Sequence, residues 1–315
     1  MLSQFLDALE RMPDLTHLQA EGILPTSSHM HGVLFPTERR VELPHLKLIE
    51  LGGDTLDVAL ALSCLIIPSG AHLAFECTSL NDLSDVASLF RLVSDQLGTA
   101  APILMESLIT RALPRAFDIV ARMKFPTGSS SQIDVIFKPS PWHVEISQQF
   151  LITMLHSQVS EFVIIGMPLD PRQWHCLFTY ENMASMESMV ITVPPDSLLG
   201  FFGLLSPRPV SKLQKLRYLN FDRTDFGGMQ WWLDYLKSAL KERKEYGMAL
   251  EVIAFYRCSS LNDEWVAQLQ DIVPTVVVSD ESPFGEGSTH GDSDRSSSDE
   301  SDEYSDDELT ESSGS

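Results

Sequence analysis

The chain has 315 residues, of which 43% are hydrophobic and 21% are charged, a composition typical of globular proteins rather than wholly disordered ones. Its formal net charge of −22 is uneven, because residues 279–315 hold thirteen Asp and Glu against one Arg and so carry −12. Such an acidic chain offers few cations to phosphates or to anionic lipids. Composition therefore argues against direct nucleic-acid binding and against binding to a membrane.

Cysteine usage and the chain start bear on the compartment. The four cysteines are widely spaced and form no CxxC pair, so a zinc ribbon or a thioredoxin-type site has no support. The first twelve residues lack the basic start and apolar core of a signal peptide. The most apolar stretch, 58–67, is about half the length of a membrane span. We predict an intracellular protein, cytoplasmic or nuclear, with reduced and buried thiols.

A recurring phrase is the main local signal: an apolar residue followed, at the third and fifth positions after it, by two more. Copies begin at Leu15, Leu46, Met186, Leu216 and Leu250; the first two lie 31 residues apart, and the last three follow one another at intervals of 30 and 34 residues. The last two apolar residues alternate as a short strand requires. Units of this length bury their apolar edges by stacking. The phrase predicts an α/β fold, a leucine-rich-repeat-like solenoid of parallel strands with crossing helices.

Helices are expected between the strands at 54–67, 148–158 and 226–246, with Asp54 as the N-cap of the first and Gly247 as the C-cap of the last. The middle of the chain is irregular. Strands are expected there at 72–77, 116–123 and 132–138, with a turn at 128–131, but no clean phrase occurs between 51 and 162. Degenerate repeats and a sheet insertion both remain open.

The character of the sequence changes after Val278, where Ser, Asp, Glu and Gly replace the apolar residues. A segment with so little aliphatic content cannot offset its ordering entropy. We predict two parts, a repeat domain over 1–278 and a disordered acidic tail over 279–315. Serines followed by acidic residues suit a kinase with a basic substrate groove. The candidate phosphorylation sites are Ser297, Ser298, Ser301 and Ser305. A purely solubilising tail is the alternative.

A basic patch is expected on the helix near residue 240. Its members are Lys237, Lys241, Arg243 and Lys244. Further basic residues precede it in sequence, at Arg208, Lys212, Lys215 and Arg217. The acidic tail could fold loosely onto these cations and mask them from a partner, an attraction that salt would screen.

No motif for catalysis, a cofactor or a metal is present: the sequence has no phosphate-binding glycine loop, nucleophile elbow, HExxH or EF-hand. His29 and His31 lack a nearby carboxylate or thiol, so no metal site is predicted. An enzyme would have to use scattered residues such as Asp170, His175 and Cys176. Adjacent side chains rarely form a nucleophile–base pair, so a buried Cys176 beside a surface His175 is expected instead.

Several phrases together resemble the repeat region of F-box-like proteins abundant in mushroom-forming fungi. The carriers are LPHLKLIEL at 43–51, LIIPSGAHLAFEC at 65–77, LRYLNF at 216–221 and LEVIAFYRC at 250–258. The resemblance implies a substrate-binding repeat surface in a ubiquitin-ligase adaptor, whose F-box docks on a Skp-type linker of a cullin complex. Residues 1–12 are too short to hold F-box helices, so no F-box is visible.

A second, non-enzymatic likeness is to acidic leucine-rich nuclear phosphoproteins, which combine repeats with an acidic tail. That resemblance implies a chaperone-like protein that binds basic nuclear partners such as histones. Both readings predict a non-catalytic module that recognises another protein, and neither identifies the partner.

Overall fold

The fold is taken from a computed structural model, which describes residues 2–24, 39–80, 82–98, 103–138, 142–154, 157–206, 213–227 and 230–283. The chain divides into two units, Met1–Glu281 and Ser282–Ser315. All helices and strands given below belong to the first unit. The serines proposed for phosphorylation lie outside the described residues, as do His29 and His31.

The first unit is an α/β structure. Its helices are α1 (Leu2–Glu10), α2 (Thr55–Ser63), α3 (Leu83–Leu97), α4 (His143–Thr153), α5 (Pro171–Leu177), α6 (Pro195–Leu205), α7 (Gln230–Glu245) and α8 (Asp263–Gln270), with a 3₁₀ turn over Glu181–Ser185. The strands are β1 (His17–Glu21), β2 (Val41–Glu42), β3 (Leu48–Gly53), β4 (Leu65–Ile66), β5 (His72–Cys77), β6 (Ile103–Leu113), β7 (Ala116–Lys124), β8 (Ser130–Phe137), β9 (Ser157–Ile165), β10 (Ser188–Thr192), β11 (Tyr218–Asp222), β12 (Val252–Tyr256) and β13 (Thr275–Ser279).

Eleven strands form one sheet in the order β1-β3-β5-β8-β7-β6-β9-β10-β11-β12-β13, while β2 and β4 form a separate pair. Every neighbouring pair in the large sheet is parallel except β6–β7 and β7–β8. The prediction of an α/β fold with parallel strands is confirmed at this level.

The recurring phrase coincides with strands. Its five copies fall on β1, β3, β10, β11 and β12, and the three apolar residues of each copy pack into one core. Leu46, Ile49 and Leu51 of the second copy are at most 2% exposed. Strand β9 has the same arrangement without the sequence phrase. Its pairing with β10 places the buried residues Val159, Phe162 and Ile164 at the three equivalent positions. The period-2 alternation thus identifies the strands because one face is fully buried.

The irregular middle is an antiparallel insertion. After β5 the chain runs through α3 and enters β6 three strand positions further along the sheet, and two hairpins return it through β7 to β8 beside β5. The first hairpin turns at Pro114–Arg115, and the second turns at Gly128, where φ is +84°. Of the two readings that the sequence left open, the structure shows the insertion.

The observed helices differ from the predicted ranges at their ends. Helix α2 covers only part of 54–67 and α7 lies within 226–246, whereas α4 begins five residues before the predicted 148. Asp54 is the N-cap residue of α2, but its carboxylate accepts hydrogen bonds from Thr78 Oγ1 and Ser79 Oγ instead of from the helix. It therefore ties the segment after β5 to the start of α2.

Four strands end in a left-handed residue. Gly22, Gly166, Arg223 and Arg257 follow β1, β9, β11 and β12 with φ between 51° and 69°. The amide of each donates to a carbonyl at the end of the next strand: Gly52, Thr192, Tyr256 and Ser279, respectively. This turn repeats the same backbone geometry at the carboxyl end of the sheet, where non-glycine residues pay a modest energetic cost.

Candidate functional site

One face of the large sheet carries the side chains that alternate with the core residues, and we call it the open face. The buried residues of β1, β3, β5 and β8 share one core cluster with those of the helices, so the helices pack against the opposite face. Helices α2 to α7 contact one another in chain order, as a single layer does. The open face is therefore the broad surface on which side chains from distant parts of the sequence meet.

Strand pairing orders this surface into rows. Across β1, β3, β5 and β8, one row reads Gln19, Glu50, Ala74, Asp134, and the next reads Glu21, Gly52, Glu76, Ile136. Carboxylates thus alternate with neutral residues along each row and between rows. This checkerboard separates like charges that would destabilise the sheet if they lay directly opposite one another. The four acidic residues form what we call the acidic quarter.

A shallow cavity of about 180 Å³ lies in the acidic quarter. Its lining combines the two rows: Gln19, Glu21, Glu50, Leu51, Gly52, Ala74, Phe75, Glu76, Asp134 and Ile136. The small residues Gly52 and Ala74 alternate with longer side chains, which accounts for the depression between them. The cavity therefore has an apolar floor and carboxylates at its rim.

Local contacts fix two of the carboxylates. His72 Nε2 lies 2.9 Å from Asp134 Oδ2, and Gln132 Nε2 donates to both oxygens of Asp134 at 3.0 Å. The side chain of Glu21 lies against Gly52, where an added Cβ would come within 2.9 Å of Glu21 Cγ. Gly52 is therefore needed for the position of Glu21.

The acidic quarter differs in charge balance from the rest of the open face. Beyond it, Asp118 pairs with Arg111 at 2.6 Å, and Asp222 pairs with Arg257 at 2.8 Å. Within the described part of the chain, no ion pair or hydrogen bond reaches the carboxylates of Glu21, Glu50 or Glu76. Negative charge is thus neutralised internally in one half of the open face and left available in the other.

Glu161, on the open face, makes a pH-dependent contribution to the stability of the fold. Its carboxylate accepts a hydrogen bond from Ser188 Oγ at 3.3 Å, and burial raises its pKa. A carboxyl group whose folded pKa exceeds its unfolded value contributes stability at low pH, and that contribution is lost as pH rises through the raised pKa.

Glu161→Gln is therefore expected to stabilise the fold at neutral and higher pH, by less than about 1 kcal/mol because the group keeps some solvent contact. The gain should shrink towards zero below the ordinary pKa of glutamate. Urea unfolding of both proteins at about pH 8 and about pH 4.5 measures this difference. A variant that gains more at the lower pH would contradict the assignment.

The predicted basic patch requires a correction. Arg243 is completely buried, and its guanidinium donates to the carbonyls of Leu205, Leu213 and Leu216. It is a structural residue, not part of a surface. The other three members of the predicted patch are lysines of α7. Lys241 and Lys244 are exposed, while Lys237 forms an ion pair with Asp234 and donates a hydrogen bond to Gln268. Arg208 and Lys212 lie outside the described residues.

The scattered residues considered for an enzyme gather on α5. Asp170 is the N-cap, and its carboxylate accepts from the amides of Arg172 and Gln173 in a capping box, which gives it a structural role. His175 and Cys176 are both exposed near the end of this helix. The expectation that Cys176 is buried is wrong, because that position of α5 faces away from the core.

The four cysteines are free and differ in accessibility. Burial raises the pKa of Cys77 to about 12 and that of Cys258 to about 11, and Cys64 is also buried. The thiolate is the reactive form of cysteine, so a raised pKa makes a thiol react more slowly. Cys176 is the one exposed cysteine of the four.

We expect one fast maleimide adduct on the native protein at neutral pH, located by peptide mass spectrometry at Cys176. The other three thiols should react only after unfolding in urea, which serves as the control for complete labelling. Fast modification of Cys77 in native protein would contradict the buried arrangement.

In the described ranges, no group of three His, Cys, Asp or Glu side chains is placed to hold a metal ion. None of the helices within those ranges has both the length and the apolar character needed to cross a bilayer. Comparison with protein-family models, curated proteins and solved structures found no match for this chain.

Proposed function

We propose that this chain is a non-catalytic protein-recognition module that binds its partner on the open face. The observation that supports the proposal is the open face itself, a broad surface that no helix of the described ranges covers, which holds a cavity and carboxylates without a partner among the described residues. Repeat architectures use such surfaces to bind other proteins.

We further propose that the parallel strands and their helices form a leucine-rich-repeat-like solenoid interrupted by the β6–β8 insertion. The recurring phrase, its coincidence with buried strands and the repeated left-handed turn support this view. The resemblance to F-box-like repeat regions then makes the bound partner a candidate degradation substrate. Under that proposal, the chain works with a Skp-type linker and a cullin.

Affinity purification of the tagged full-length chain from its native cells, followed by mass spectrometry, tests the proposal when a matched pair of variants is included. Ile136 on the open face and Ile152 on α4 are similarly exposed, at 41% and 37%. Ile136→Arg should remove specific partners, whereas Ile152→Arg should retain them. Partner recovery that is unaffected by Ile136→Arg would contradict binding on the open face.

The identity of the recovered proteins separates the two candidate roles. Skp-type and cullin subunits would support the ligase-adaptor role. Basic nuclear proteins without ligase subunits would favour the chaperone-like role, which the negative charge of the acidic quarter also favours.

A further inference from the structure

We infer that the acidic quarter of the open face docks a lysine- or arginine-rich segment of a protein partner. The inference rests on the proposed function, since it concerns the same face, and it adds the chemistry of the occupant. The acidic quarter comprises Glu21, Glu50, Glu76 and Asp134 around the cavity of about 180 Å³.

Charge complementarity is the first argument. Elsewhere on the open face, Asp118 and Asp222 have arginine partners, so their charge is neutralised within the fold. In contrast, the carboxylates of Glu21, Glu50 and Glu76 meet no cation in the described ranges. A cationic ligand would neutralise them, and electrostatic complementarity of this kind selects the partner and speeds its association.

The shape of the cavity is the second argument. Lysine and arginine have an aliphatic stem that packs on apolar surface and a charged end that reaches polar groups. The floor offers Gly52, Ala74 and Ile136 for the stem, and the rim offers carboxylates for the cation. A purely apolar helix would match only the floor, and an acidic molecule would be repelled by the carboxylates of the rim.

The spacing of the carboxylates is the third argument. Acids on alternate strands of one row are about 10 Å apart, because neighbouring strands are separated by about 4.8 Å. Such spacing is too wide for convergence on one small ion, in agreement with the finding that the described residues include no group of three metal-type ligands. Acids of the two rows on adjacent strands lie diagonally, about 7–8 Å apart. That spacing suits several cationic side chains of one extended segment, since side chains on one side of an extended peptide repeat about every 7 Å.

The test measures fluorescence anisotropy of a labelled peptide of alternating arginine and glycine, with a glutamate–glycine peptide as the negative probe, against the full-length chain. The double variant Glu50→Gln/Glu76→Gln should weaken binding about fivefold to tenfold. The matched control is Glu42→Gln/Glu245→Gln, which makes the same change of net charge at exposed positions on β2 and α7. It should change the affinity less than twofold, about the size of a weak long-range charge effect.

A second variant separates the cavity from general charge attraction, including attraction by the acidic residues 279–315. Ala74→Leu fills the floor of the cavity without altering the net charge, and it should also weaken binding of the arginine peptide several-fold. Thermal unfolding followed by circular dichroism checks that the variant folds. Equal effects of the two double variants, or full affinity of Ala74→Leu, would overturn the inference. Partner capture that depends on Ile136 but not on Glu50 and Glu76 would leave the proposed function intact and reject the basic occupant.

Discussion

Arg243→Ala is expected to lower the free energy of unfolding by about 3–5 kcal/mol, one of the largest single-residue effects in the protein. The guanidinium is fully buried and holds three carbonyls, those of Leu205, Leu213 and Leu216. Burial lowers its pKa to about 10, which still leaves it charged at neutral pH. Truncation would leave these carbonyls without their donor and a cavity in place of a large side chain. Urea unfolding monitored by tryptophan fluorescence measures the loss.

The matched control is Lys241→Ala, two residues earlier on the same helix at an exposed position. It removes the same charge but no buried contact, so its effect should stay within about 0.5 kcal/mol. Similar losses in both variants would show that the charge of α7, and not the buried hydrogen bonds, determines its stability. Arg243→Lys should be nearly as harmful as alanine, because a single ammonium cannot replace the planar, multiply donating guanidinium.

Arg243 also shows why sequence reasoning failed at this residue. Four basic residues on one helix ordinarily form an exposed face, and nothing within α7 distinguishes Arg243 from Lys241. The difference comes from the ends of other elements: Leu205 closes α6, and Leu213 and Leu216 precede β11. These carbonyls become acceptors for α7 only after α6, α7 and the segment before β11 pack together. Helical spacing alone places Arg243 on a face but does not reveal what covers that face.

The strands, in contrast, were accessible to sequence reasoning. Alternation of apolar residues is a local property, and it identified β5 with its observed bounds and the five phrase strands. Strand β6 was missed, although Ile103, Met105 and Leu108 give it an apolar pattern, because a bulge between Met105 and Ser107 breaks the strict period of two. The strand order around β6–β8 depends on non-local pairing, so the sequence left the insertion unresolved.

The acidic quarter had a local signal that went unused. Glu50, Glu76 and Asp134 each stand between two buried apolar residues of a strand, a pattern that places the carboxylate on the opposite, solvent-facing side. What the sequence could not give is their proximity. Asp134 meets the other acids only because the hairpins bring β8 beside β5. The candidate site therefore depends on the β6–β8 insertion between the parallel strands.

Gly166→Ala is expected to lower the free energy of unfolding by about 3 kcal/mol, whereas Gly22→Ala should lower it by only about 1 kcal/mol. Both glycines follow a strand in the left-handed conformation, with φ of +69° and +65°, and both donate to the neighbouring strand. A Cβ at Gly22 meets open space, but a Cβ at Gly166 would collide with the backbone carbonyl of Ala112 on β6.

The comparison isolates that collision, because the conformational cost is common to the two positions. Arg223 and Arg257 adopt the same conformation after β11 and β12, so this turn tolerates a side chain where space permits. Strand β6 must move away from β9 if Gly166 gains a methyl group, and that movement would disturb the pairing that joins the insertion to the following parallel strands. Equal losses in urea unfolding for the two variants would instead assign the whole effect to backbone conformation and leave the contact with Ala112 without energetic consequence.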